Sequence, residues 1–126
     1  MNKQILNTQN APAAIGPYSQ GVKVGNLIFT SGQLPINPQS GELVADIEGA
    51  TKQSLDNVKA ILESTGTSMD KVVKTVVFLR DMNDFAAMNT VYATYFSSNP
   101  PARSAVQVAR LPKDAIIEIE AIALSE

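Results

Sequence analysis

The sequence contains no histidine, no cysteine and no tryptophan. Those absences remove most of the side chains from which enzymes build nucleophiles, general bases and metal centres. Without cysteine there is no disulfide, no thiolate nucleophile and no thiolate-bound metal. Without histidine, the common zinc, copper and non-haem iron sites lose their usual ligand. A serine such as Ser31 has no imidazole to activate it. A Mg²⁺ or Ca²⁺ site built only of carboxylates needs neither residue, but no EF-hand spacing occurs, and neither standard glycine-rich phosphate loop is present. There is also no run of 18 apolar residues. The first stretch, MNKQILNTQNAPAAIGPYSQG, is polar and irregular, and Lys3 is its only basic side chain. It resembles neither a signal peptide nor a transit peptide. The expectation is a soluble cytoplasmic protein with no membrane partner.

Charge is equally uninformative as a lure. Ten basic residues face 12 acidic ones, for a net charge of −2, and no window concentrates lysine or arginine. A nucleic-acid binder ordinarily carries a basic footprint, so no nucleic-acid partner is expected. What is there is an ordinary globular composition, 44% hydrophobic and 17% charged over 126 residues. That length fits one domain, residues 1–126, large enough to bury its own core.

The apolar pattern gives an α+β order. Gly-Pro punctuation dominates the first 20 residues, with room for a short strand at Gln4–Leu6. GVKV and LIFTSG flank Gly25-Asn26 and read as a β-hairpin. Ile47, Leu55, Val58, Ile61 and Leu62 form one stripe of a helix from about Asp46 to Ser64, with Gly66 as its C-terminal cap. VVKTVVFLRD is a β-branched strand. Alternation from Val72 puts Val73, Val77 and Leu79 on one face and Val72, Val76 and Phe78 on the other. Asn83 or Asp84 is placed to cap a second helix, whose stripe runs Phe85, Met88, Tyr92, Tyr95. Asn99-Pro100-Pro101 stops it. SAVQVA and AIIEIEAIAL are the last strands, joined by LPKD. The order is β-β-α-β-α-β-β, a mixed sheet with both helices on one face. Strands apolar on both sides, with no element left to cover the second face, point to another subunit.

In the last strand, Ile117, Ile119, Ala121 and Ala123 form an all-apolar face suited to lie under the helices. The alternate face mixes Glu118 and Glu120 with large aliphatics. Those glutamates read as solvated or intersubunit carboxylates, or, more sharply, as one carboxylate in a half-buried cleft at a subunit boundary. Arg103 follows Pro101-Ala102 into a strand. A lone arginine is ordinarily a surface residue, but a rigid approach can hold its planar fork for a carboxylate. Arg110 has the opposite parity and reads as structural, for instance as one half of an ion pair. Tyr18 in GPYSQG needs packing or a partner for its hydroxyl. Ser31 precedes Gly32 at a strand end, which alone is only a turn signal. Asn89 falls off the apolar stripe of its helix. By themselves these residues describe an oligomeric α+β domain able to bind a small anion.

Five segments then carry a resemblance: NAPAAIGPYSQG, FTSGQLPINPQSGE, QSLDNVKAIL, KTVVFLRDMNDFAAMN and PARSAVQVARLPKDAIIEIEAIA. In order and over nearly the whole chain, they resemble the RidA (YjgF-type) reactive-intermediate deaminases. The resemblance implies a chorismate-mutase-like homotrimer with helices outside and sites in the clefts between subunits. It implies hydrolysis of enamine/imine intermediates such as 2-aminoacrylate and 2-aminocrotonate to 2-keto acids and ammonia, with no cofactor and no metal. Residue by residue, it puts the substrate-carboxylate arginine on Arg103, the cleft tyrosine on Tyr18 and the water-orienting glutamate on Glu118. Ser31, Gly32 and Asn89 match positions that line or support the cleft, with Tyr18 closing it from the neighbouring subunit. Close relatives read PARSCV where this chain has PARSAV, so Ala105 stands in for a cysteine and contributes backbone only. The rival expectation is a ligand-binding regulatory or chaperone-like trimer without turnover.

Overall fold

The structure, a computed structural model, describes residues 2–126. Its elements run β1 (Lys3–Leu6), β2 (Gly21–Val24), β3 (Leu27–Thr30), α1 (Ile47–Glu63), β4 (Val72–Leu79), α2 (Phe85–Tyr95), β5 (Ala102–Gln107) and β6 (Ile117–Leu124). The six strands form one sheet in the order β1-β2-β3-β6-β4-β5. The short N-terminal strand that the sequence only permitted is present and pairs with β2. The hairpin turns at Gly25 (φ 58°), a left-handed conformation that glycine adopts without a Cβ clash. Only β4 and β5 are parallel, because α2 carries the chain back between them.

Asp46 caps α1, its carboxylate accepting from Gly49 N at 2.8 Å. At the second helix the side-chain cap lies earlier than the sequence indicates. Asp81 accepts from Asn83 N and opens a 3₁₀ turn, and Asp84 precedes α2 without a side-chain bond.

The core lies between the helices and one face of the sheet. Ile117, Ile119, Ala121 and Ala123 of β6 are buried there with Leu55, Val58, Ile61 and Leu62 of α1. The alternation in β4 departs from the simple reading. A register irregularity between Val72 and Lys74 shifts the parity, so Val72 joins Thr75, Val77 and Leu79 in the core while Val73 is exposed.

The second sheet face carries Phe29, Val106, Ile122, Phe78 and the two glutamates of β6. No described element covers it: Phe29 and Val106 are 37% and 44% exposed. Among the described residues no helix is long and apolar enough to cross a membrane.

Candidate active site

Glu118 sits on β6 opposite Phe78 of β4, which in turn faces Val106 of β5. Residues paired across a sheet share a face, so this row belongs to the uncovered side. Glu118 is half-buried, and its carboxylate accepts no hydrogen bond from a described residue. Burial first, and the neighbouring charge of Glu120 second, push its pKa above the ordinary glutamate range.

The segment after β3 wraps over this carboxylate. Gln33 N donates to Ile119 O at 2.7 Å and Ile119 N returns a bond to Gln33 O at 3.1 Å. That clasp lays Gly32 against Glu118: a β-carbon at position 32 would lie 2.7 Å from the carboxyl carbon. Ser31 Oγ donates to Ser19 O at 2.6 Å, and Ser31 N donates to Gln20 O at 2.9 Å. These bonds carry the Tyr18 loop alongside. Tyr18 itself is half exposed, with its backbone N–H turned into Gly16 O. Tyr18, Ser31, Gly32, Lys113 and Glu118 together line a cavity of about 610 Å³ with a largely apolar wall. Among the described residues Lys113 is the one cation on that wall, a position the sequence reading did not single out.

Arg103 is elsewhere. It pairs with Thr75 of β4, which pairs with Ala121 of β6. Thr75 and Ala121 are buried under the helices, so Arg103 projects toward the helix face, opposite to Glu118. Its Nη1 donates to Asn89 Oδ1 at 2.7 Å. The guanidinium carbon lies 4.7 Å from the Tyr92 ring centroid and 5.4 Å from that of Phe85, both within cation–π range. Asn89, though off the apolar stripe of α2, faces the same guanidinium as two of its aromatics. Phe85, Asn89 and Tyr92 are spaced i, i+4, i+7 and form one cradle for the arginine. The same spacing stands in the sequence, hidden because a polar residue interrupts an apolar row. The remaining Arg103 nitrogens, Nε and Nη2, donate to no described residue. Ala105, two residues on, points the same way and packs its methyl against the core.

Arg110 plays the structural part expected of it. Its Nε and Nη2 bind both carboxylate oxygens of Asp114 at 2.7 and 3.1 Å, on the surface.

Within one chain the candidate residues thus form two groups on opposite sheet faces: Tyr18, Ser31, Gly32 and Glu118 in one, Arg103 and Asn89 in the other. Tyr18 accompanies Glu118 and does not stand apart from it.

Residues 8–125 match the family model described as Endoribonuclease L-PSP. The chain belongs to this family, the YjgF/RidA family. Among YjgF/RidA relatives, the 2-iminobutanoate/2-iminopropanoate deaminase of Escherichia coli is 58% identical over 127 residues, spanning 98% of each chain. The crystal structure of the E. coli YjgF gene product is 56% identical with a TM-score of 0.95, covering 98% of this chain and 99% of that one. That of E. coli TdcF with bound serine is 52% identical with a TM-score of 0.94, again covering 98% and 99%. The α+β fold, one six-stranded sheet with two helices, is that of the YjgF/RidA structures.

Proposed function

We propose that the chain hydrolyses 2-imino acids and their enamine tautomers, of the 2-aminoacrylate and 2-aminocrotonate type, to 2-keto acids and ammonia. It would do so in the cytoplasm as a homotrimer, with one site in each cleft between neighbours. The relative that is 58% identical carries the name of that activity. The observation that carries the reading for this chain is the division of its polar residues. A guanidinium with free donors and a half-buried carboxylate lie on opposite faces of one sheet. A single small substrate reaches both only where the Arg103 edge of one copy meets the Glu118 face of another.

The chemistry asks little of the protein. Imines add water unaided, so positioning supplies much of the required acceleration. Arg103 holds the substrate carboxylate through two N–H···O bonds while Asn89 keeps a third donor occupied. The imine carbon then rests over the Glu118 cavity. Glu118 accepts a proton from a water whose oxygen bonds to that carbon as the C=N pair moves onto nitrogen. The raised pKa of Glu118 strengthens it as an acceptor. Return of that proton to nitrogen gives the carbinolamine; its hydroxyl proton then moves to nitrogen by way of Glu118, the O–H pair closes the keto C=O, and the C–N pair leaves with ammonia. Tyr18, Ser31, Gly32 and the Ala105 backbone bound the pocket. No electron or group carrier is involved.

The test is keto-acid formation in an assay coupled to a serine or threonine dehydratase. The unmodified chain should accelerate it, and Arg103→Ala and Glu118→Gln should each abolish the acceleration. Unfolding and refolding the two inactive variants together should restore activity. With random mixing, three-fold symmetry leaves one intact cleft per mixed trimer, or about a quarter of the parent activity. No recovery from confirmed mixed trimers would mean that one chain supplies both groups. No acceleration by the parent would leave a ligand-binding module without turnover.

A further inference from the structure

Resting on the carboxylate-clamp reading of Arg103, we propose that Tyr92, tethered by Thr75, is a positioning residue that fixes the plane of the Arg103 guanidinium. Arginine has a long flexible stem, and β5 is an edge strand, so β5 alone does not orient the fork. Asn89 holds one nitrogen. A single hydrogen bond leaves the group free to swing about it. The Tyr92 ring, 4.7 Å below, supplies the second constraint.

That constraint works only if the ring itself is fixed. Tyr92 packs on Phe96 with ring centroids 4.7 Å apart. Its hydroxyl lies 2.6 Å from Thr75 Oγ1, and both residues are buried, at 6% and 1% exposure. Thr75 is the β4 residue in register with Arg103. Guanidinium, ring and tether therefore form one connected set spanning α2, β4 and β5. A phenylalanine would fill the same space, as Phe96 does one turn on. Burying two hydroxyls is unfavourable unless they bond each other, and bonded they select one ring position. Burial also pushes the Tyr92 phenol above its ordinary pKa, which keeps it protonated and able to donate.

The experiment compares Tyr92→Phe, Thr75→Val, their double variant and Thr75→Ser. Each is measured for deaminase kinetics and for binding of 2-oxobutanoate by calorimetry. Tyr92→Phe and Thr75→Val should each raise KM and weaken 2-oxobutanoate binding about fivefold, the scale of one net hydrogen bond, with kcat within about twofold. The double variant should be no worse than either single one, since both cut the same link. Thr75→Ser, which keeps the hydroxyl, should restore parent KM. In an Arg103→Ala background, Tyr92→Phe should cause no further loss of binding. Folded Tyr92→Phe and Thr75→Val proteins with parent KM would overturn the tether. So would a Tyr92→Phe effect that persists without Arg103. If Arg103→Ala itself leaves binding and turnover intact, the clamp reading fails instead.

Discussion

A β-carbon at position 32 would stand 2.7 Å from the Glu118 carboxyl carbon and 2.8 Å from Oε2. The Gly32 backbone is not in the left-handed region, so the glycine answers to space and not to torsion. Gly32→Ala must therefore push the Glu118 side chain aside. Because that chain end is flexible and half-buried, the fold should tolerate the change. The carboxylate should not: kcat should fall on the order of tenfold to a hundredfold, the usual cost of misplacing a reacting group by about 1 Å. Turnover and a thermal melt on the same preparation check this. Parent kcat with an unchanged melting temperature would mean that the carboxylate position does not matter.

Glu118, the proposed base, should also set the acid limb of activity. Its pKa is raised by burial and by Glu120, so kcat/KM should decline at a pH above the ordinary glutamate range as its carboxylate takes up a proton. Glu120→Gln removes the second cause and should move that limb to lower pH. Lys113, the other charge among the described residues of the cavity wall, is unchanged in that variant. Stability carries the opposite sign. The folded state binds the Glu118 proton more tightly than the unfolded chain, so stability falls as pH rises between the ordinary and the raised pKa. Glu118→Gln removes this decline and should be more stable than the parent above that window. Urea midpoints at matched pH values measure it.

How much of this was written in the sequence differs by element. Periodicity located both helices and every strand of the core, because Ile117, Ile119, Ala121 and Ala123 repeat with the period that burial imposes. It misplaced Val72 and Val73, since a bulge leaves no mark in an alternating β-branched run. It also missed the cradle around Arg103. Phe85 and Tyr92 read as core and Asn89 as surface, and only the packed helix shows that the three touch one guanidinium. The separation of Arg103 from Glu118 depends on strand order, with β4 between β5 and β6, and strand order is a long-range property. Resemblance put the candidate residues forward, but their division between two faces was not legible in it.

Gln20 is a case that patterning could not reach. It is polar, yet 3% exposed. Its Oε1 accepts from Thr8 N at 2.7 Å, while Nε2 donates to Thr8 O, Ala11 O and Pro12 O. One side chain thus satisfies the backbone of a segment that has no ladder of its own. Gln20→Leu keeps the volume and strands those groups. It should cost about 2–3 kcal/mol in urea unfolding, and it should expose the segment from Thr8 to Pro12 to proteolysis. A loss below about 0.5 kcal/mol would show that water replaces the glutamine at no penalty.

The two arginines of PARSAVQVARLP should respond differently to truncation. Arg103 is the proposed carboxylate clamp, whereas Arg110 holds Asp114 at the surface, with both groups largely exposed. Exposed pairs contribute little, so Arg110→Ala should leave turnover at the parent value. The turn it braces is more exacting. Lys113 and Asp114 both have positive φ, 58° and 54°, conformations that side chains branched at Cβ strongly resist. Lys113→Val should therefore destabilise the protein by about 1–2 kcal/mol, the added cost of a β-branched side chain at positive φ, while in Lys113→Gly the relief of that torsion is offset by the greater freedom of the unfolded chain, leaving it close to neutral. Melting temperatures of the two variants decide the point. Equal stability would mean that the turn relaxes to negative φ, and that neither residue is held in the left-handed region.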